Sequence, residues 1–336
     1  MGRTPFMMAM QDLHGSTNTS PEEVMEKLQF HNQRLEQLNL FYDKTQEIKT
    51  IIRLYSGKNK QLFKKRVGEY LKNDQGSSLK PQDINASLYR FVNFVFLPFV
   101  DFGEVKAVVK EFANLTMRLH GEPFDIFIES IISSGFLDIL QRDCLKIYPE
   151  IYGAEMPMRP ALYLDLTDSF ENPKVAARIS TKDFQSYKDL YKDIAEVFAR
   201  QLVLIAGINN IIHRGDSDMF ATISGGTLSS LQKFSSKTLT DKFKYLDNCW
   251  YPIDASVVDA GMRNAIAHNN IEYNEITQEV TYYPGGGGIQ PTEGQTIYFL
   301  EFMRAMLALF REMHNFHHLI KSLFYYELLV RNKSET

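Results

Sequence analysis

The sequence predicts an all-α protein with one small β-hairpin inserted late in the chain. Two observations carry this. Apolar residues recur three, four and seven positions apart through most segments, the spacing of one face of an α-helix. Strict alternation appears once, in Ile271–Ile276 and Val280–Tyr283, on either side of the polar turn Thr277-Gln278-Glu279; that pattern reads as a hairpin. No internal repeat divides the chain.

Taken in order, Ser20-Pro21-Glu22-Glu23 starts a helix with a cap residue, a first-turn proline and acids against the dipole. Leu28, Leu35, Leu38, Phe41, Ile48, Ile51 and Ile52 continue its stripe, predicting one long helix to about Tyr55 that stops at Ser56-Gly57. A short basic helix follows over about Lys58–Asn73, then a linker at 74–78. Lys80-Pro81-Gln82-Asp83 opens the next helical stretch, and residues 84–149 read as roughly three helices punctuated by Pro98, Gly121-Glu122-Pro123 and Gly135. From Tyr152 to Pro173, Pro157, Pro160 and Pro173 surround an extended run, Ala161–Leu164. This is the expected boundary between an N-terminal helical domain, 1–179, and a second domain, 180–336.

Ser180-Thr181-Lys182-Asp183 resembles a capping box and opens a long helix ending near His213. After the polar loop 215–226 come a helix from Leu228 to about Leu246 and another from about Ala255 to Ala267. The hairpin, a flexible loop at Gly285–Gly288 and a last long helix over Thr296–Leu329 complete the chain.

Composition bounds the function. The 336 residues are 44% hydrophobic and 12% aromatic, ample for a packed core. A net charge of -4 gives no global field for nucleic acid, so such a partner needs a local basic patch. Cys144 and Cys249 are the only cysteines and lie far apart, which excludes a disulfide framework and a cysteine-rich zinc site and suits a reducing cytosol. The apolar runs Phe91–Val100 and Leu202–Ile212 are about half the ~20 residues of a membrane span. They are expected to be buried helix in a cytoplasmic protein with no membrane partner.

The chemistry concentrates in Met262-Arg263-Asn264-Ala265-Ile266-Ala267-His268-Asn269. Asn264 and His268 are one helical turn apart and share a face, and the long Arg263 side chain can swing back across the helix end. Asp259, one turn before Arg263, is placed to steady the guanidinium. A cation, an amide and an imidazole then cluster at one helix end. The imidazole can take a proton from a ribose 2′-hydroxyl or give one to a leaving 5′-oxygen. A guanidinium can stabilise the crowded phosphorane between those steps. No metal ligand and no cofactor is needed.

The Arg-x4-His spacing, with a polar residue after the arginine, resembles the signature of the HEPN superfamily. The surrounding order is similar too: long helix, second helix, motif helix, hairpin, long final helix, over about 180–330. The resemblance implies a C-terminal HEPN-like four-helix bundle acting as a metal-independent endoribonuclease that leaves a 2′,3′-cyclic phosphate. It implies Arg263, Asn264 and His268 as catalytic residues, a homodimer whose two motifs share a cleft, and a role as a toxin or in abortive infection and other antiphage defence. An antitoxin or sensor protein is then an expected partner beside the RNA substrate. The alternative reading is a non-catalytic HEPN-fold module that binds a nucleotide or a protein.

Other features are weaker. Lys58, Lys60, Lys64, Lys65 and Arg66, interleaved with Phe63 and close to Tyr70, form a candidate RNA-phosphate patch. His314, His317 and His318 are read as a packed or solvated helix face and not as a metal site. Gly285–Gly288 lacks the Lys-Ser/Thr and the strand-helix setting of a phosphate loop.

Overall fold

The computed structural model describes residue 10 and residues 20–72, 78–100, 102–166, 184–224, 226–285 and 293–331. Most of the expected 74–78 linker, the start at Ser180–Asp183, the boundary stretch with Pro173 and glycines 286–288 lie outside the described residues. Local chemistry sets the first helix. In α1 (Pro21–Tyr42) the Ser20 hydroxyl accepts from the Glu23 N–H at 3.2 Å, and the Glu23 carboxylate accepts from the Ser20 N–H at 3.0 Å.

The helix expected to continue to Tyr55 instead breaks after Tyr42. The Thr45 hydroxyl donates to the Tyr42 carbonyl at 2.6 Å, a local bond that competes with the helical ladder, and α2 (Thr45–Ser56) starts afresh. Asn59 caps α3 (Lys60–Leu71), accepting from the Leu62 N–H at 3.0 Å. Helices α4 (Pro81–Phe96), α5 (Phe102–Arg118), α6 (Glu122–Ser133) and α7 (Phe136–Gly153) are separated at Pro98, Gly121 and Gly135, as expected. Gly135 sits at φ 70°, where a side chain would be strained.

The extended run expected at Ala161–Leu164 is helical instead. It closes α8 (Glu155–Tyr163) and enters a 3-10 turn, Leu164–Leu166. Pro157 lies near the helix start, where proline is tolerated, and Pro160 removes only the bond to Met156, an exposed residue. Burial of Met158, Ala161 and Leu162 then outweighs the poor propensity.

Helix α9 (Phe184–Arg214) is followed by two short helices, α10 (Leu231–Ser235) and α11 (Leu239–Lys244), where one was expected. Ser230 and Thr238 each cap a new start, accepting from the Lys233 and Asp241 N–H groups at 3.3 and 3.2 Å. The helix expected from Ala255 is likewise divided, into a 3-10 turn (Ala255–Val257) and α12 (Ala260–Ala267). Strands β1 (Ile271–Asn274), β2 (Glu279–Tyr282) and β3 (Gln295–Tyr298) pair antiparallel in that order, with Ile271 opposite Tyr282 and Val280 opposite Ile297. The third strand was expected as helix. Thr296, Ile297 and Tyr298 favour an extended chain, and Glu301 accepts from the Tyr298 N–H at 2.7 Å, so α13 (Phe299–Leu329) begins only there.

The result is a mostly-α fold, 74% helical, with thirteen α-helices and one small sheet among the described residues. At its centre α13 packs against α4, α5, α7, α8 and α9. Phe302, Met306, Phe310, Met313, Phe316 and Ile320 are fully buried along it. One continuous cluster of buried side chains runs from Leu38 to Tyr326 and draws on helices before and after residues 167–183. Helix α9 is long and apolar enough by composition to cross a membrane, yet 83% of its apolar window is buried inside the protein; a helix apolar on most faces is one wrapped by others.

Gly207 marks the tightest approach in this wrapping, between α9 and α6. A Cβ there would lie 2.6 Å from Cε2 of the buried Phe127. Gly207→Ala is therefore expected to destabilise the protein by about 1–3 kcal/mol. At Gly153 a Cβ meets nothing within 4 Å, so Gly153→Ala should leave stability unchanged or raise it by up to about 1 kcal/mol. Urea unfolding of both variants checks this; equal effects would contradict the α6–α9 contact.

Candidate functional site

Asp259 starts the short helix that carries the motif. One carboxylate oxygen accepts from the Met262 N–H at 2.9 Å, and the other accepts from the Tyr282 hydroxyl on β2. Burial, and then the hydrogen bond to Asp259, push the Tyr282 phenol well above its usual range, so it stays a protonated donor. The cap thus ties α12 to the sheet. Met262, Ala265 and Ile266 face inward, and α12 packs on α9 and on β1 and β2.

The far end of α12 is fixed as firmly. Asn269 adopts the left-handed conformation at φ 56°. Its N–H donates to the Ile266 carbonyl at 3.1 Å, and the Asn270 N–H donates to the Ala265 carbonyl at 2.7 Å. These two bonds form a Schellman turn with asparagine in the position usually held by glycine. Lys188 on α9 donates to the Asn269 side-chain oxygen at 3.0 Å and braces the turn. Sequence spacing offers no signal for Lys188, which lies 81 positions away.

Between these anchors sit the predicted residues. Arg263 and Asn264 are half-buried, and the guanidinium donates to the Asn264 side-chain oxygen at 3.3 Å. His268 caps the helix, its N–H donating to the Asn264 carbonyl at 3.0 Å, while its ring is exposed. Among the described residues the His268 ring has no hydrogen bond, and none links it to Arg263 or Asn264. Asp259, expected to steady Arg263, is instead committed to the Met262 N–H and Tyr282, and no ion pair joins it to Arg263 among the described residues. The arrangement offers a solvent-facing imidazole one turn beyond a guanidinium–amide pair. Such an imidazole can exchange a proton with a docked hydroxyl, and the guanidinium can bond a phosphate oxygen.

The five basic residues of the candidate RNA patch have different surroundings. Lys64 is buried and donates to the Ser87 hydroxyl at 3.0 Å. Lys60 donates to the Tyr55 carbonyl with its ammonium 4.9 Å from the Tyr55 ring centre, and burial lowers its pKa. Arg66 pairs with Glu69 at 3.1 Å, while Lys58 and Lys65 are exposed.

His314, His317 and His318 are packed, each 1% exposed. The Tyr148 hydroxyl lies 2.7 Å from His314 Nδ1 and 2.9 Å from His317 Nδ1, and His314 and His318 meet through their Nε2 atoms at 3.2 Å. Burial holds all three imidazoles neutral, His314 down to about 3. Among the described residues no three His, Cys, Asp or Glu side chains are grouped to hold a metal ion.

One carboxylate on α13 titrates near neutrality. Burial, then Glu104 and Asp254, raise Glu312 from 4.5 to about 7. Its raised pKa means the folded state binds this proton more tightly than the unfolded chain does. The resulting stability is present below about pH 4.5 and is lost as pH rises through about 7. Melting temperature followed from pH 5 to 8 should fall in wild type relative to Glu312→Gln, which lacks the titration; parallel curves would contradict the burial of this carboxylate. No protein-family model, curated protein or solved structure matches the chain.

Proposed function

We propose that the protein is a metal-independent endoribonuclease of the HEPN type, acting as a homodimer in a toxin or antiphage setting. One observation supports this most strongly. His268 is an exposed imidazole without a hydrogen bond among the described residues, rigidly placed at a helix end just beyond the Arg263–Asn264 pair. None of the three side chains fills the core, so fold stability does not account for them. Around them the order is long α9, two short helices where the resemblance implies one, α12, a three-stranded sheet and long α13.

In this reading one His268 takes the proton of a ribose 2′-hydroxyl, and the freed O2′ attacks the adjacent phosphorus. Arg263 bonds the non-bridging oxygens as the phosphorane forms. The P–O5′ bond then breaks, and a second imidazole, from the partner copy, supplies the proton the 5′-oxygen needs. Because one chain carries one such imidazole, the dimer supplies both base and acid. An antitoxin or sensor protein would restrain the activity until it is triggered.

Arg263→Ala and His268→Ala should each abolish cleavage of total RNA, with melting temperatures within a few degrees of wild type, since little buried volume is lost. Wild-type cleavage should persist in EDTA. Because both imidazoles are needed, excess His268→Ala chain should suppress wild-type cleavage by forming mixed dimers. Full activity in either variant, or cleavage that needs added Mg²⁺, would overturn the assignment.

A further inference from the structure

Helix α12 is joined to the interior by the stretch just before it. Tyr251 is buried, its ring 5.1 Å from that of Phe316 on α13 and 5.6 Å from that of Phe112 on α5. Asp254 caps the Ala255–Val257 turn, accepting from the Ser256 N–H at 2.8 Å, and that turn packs on α13. Val258 is buried, and the next residue, Asp259, starts α12. Whatever lifts the 251–257 stretch off α13 therefore acts on the seat of the motif helix.

Glu312 of α13 lies at this junction. Glu104 of α5, Asp254 of the turn and Tyr251 before it are the titratable groups that bear on it. Its Oε2 is enclosed without a hydrogen-bond partner, and no cation pairs with it among the described residues. Arg311, beside it in the chain, is committed to Asp165 and the Phe99 carbonyl, and burial holds His314 neutral. A carboxyl enclosed without such partners is tolerated as the neutral acid and not as the anion. The anion needs water, and the charges of Glu104 and Asp254 oppose it further. Of these two neighbours, α5 is pinned by Phe112 and Leu115, both fully buried, whereas Asp254, Ala255 and Ser256 are exposed. The turn is the neighbour that yields at the lower cost.

We propose that Glu312 is a proton-operated latch for the motif helix. As the neutral acid it lets the 251–257 stretch seat on α13; as the anion it lifts that stretch and loosens the start of α12. The latch concerns the seating of α12, whatever reaction that helix carries, so it does not rest on the ribonuclease reading. The seated form holds its proton up to about pH 7, and an open, hydrated carboxyl only to the ordinary 4.5. The ratio of open to seated should therefore rise roughly tenfold per pH unit between those values and level off above them.

Amide hydrogen exchange of the full chain, corrected for the intrinsic pH dependence of exchange, reads that ratio segment by segment. From pH 5 to 8, exchange within 251–267 should speed at least about tenfold in wild type. At every pH it should run at least about tenfold faster than exchange in Phe316–Leu323 of α13, because lifting a turn costs less than unfolding. Glu312→Gln keeps the shape and every other ionisable group, His268 included, and should abolish the rise. Asp254→Asn keeps the capping oxygen, removes one repelling charge and should reduce the rise. Equal protection of the two segments would mean that 251–267 opens only by global unfolding, and would overturn the latch. So would a flat wild-type profile at 251–267, or the full wild-type rise in either variant.

Discussion

Almost everything in this structure follows from the burial of α13. Nineteen of its 31 residues are buried, far more than the single stripe of a surface helix provides. Such a helix must be surrounded, and α4, α5, α7, α8 and α9 surround it. Burial on this scale also encloses polar side chains. His314, His317 and His318 lie inside the sheath, and Tyr148 sits between the first two. A single hydroxyl can serve both imidazoles, donating to one and accepting from the other. Tyr89 adds a bond to the His317 carbonyl at 3.2 Å. His317 Nε2 and His318 Nδ1 have no hydrogen-bond partner among the described residues, so this buried cluster is only partly satisfied.

The candidate chemistry lies where this packing ends. Helix α12 is short and contributes only Met262, Ala265 and Ile266 to the interior. Its position is held by bonds at its two ends, Asp259 to Tyr282 on one side and Lys188 to Asn269 on the other. That leaves Arg263, Asn264 and His268 free of structural duty at a rigid location, the condition a catalytic constellation requires. Beside α1, Asp165 holds two arginines by the same kind of end-to-end bonding, Arg34 from α1 and Arg311 from α13.

Much of the fold was legible in the sequence wherever a backbone requirement has a residue signature. Ser20-Pro21-Glu22-Glu23, Pro98, Gly121 and Gly135 each marked an element end that the structure places there. Misreadings occurred where tertiary contacts outvote local preference. Pro157 and Pro160 argued against a helix, yet burial of the neighbouring side chains makes one. Thr45, Ser230 and Thr238 end or begin helices through a single hydroxyl bond inside an otherwise unbroken periodicity. At the motif, the spacing of Asn264 and His268 identified a shared face, but it could not show that Asp259 serves the helix cap, nor that Lys188 braces the turn.

The central claim is chemical: a 2′-hydroxyl, activated by His268, displaces the 5′-oxygen. The ends of the RNA fragments report this step directly. Fragments produced by the purified protein should carry 2′,3′-cyclic phosphates and 5′-hydroxyls, because the attacking oxygen belongs to the substrate. Fragments with 5′-phosphates and 3′-hydroxyls would mean that water attacked the phosphorus, and would contradict the account.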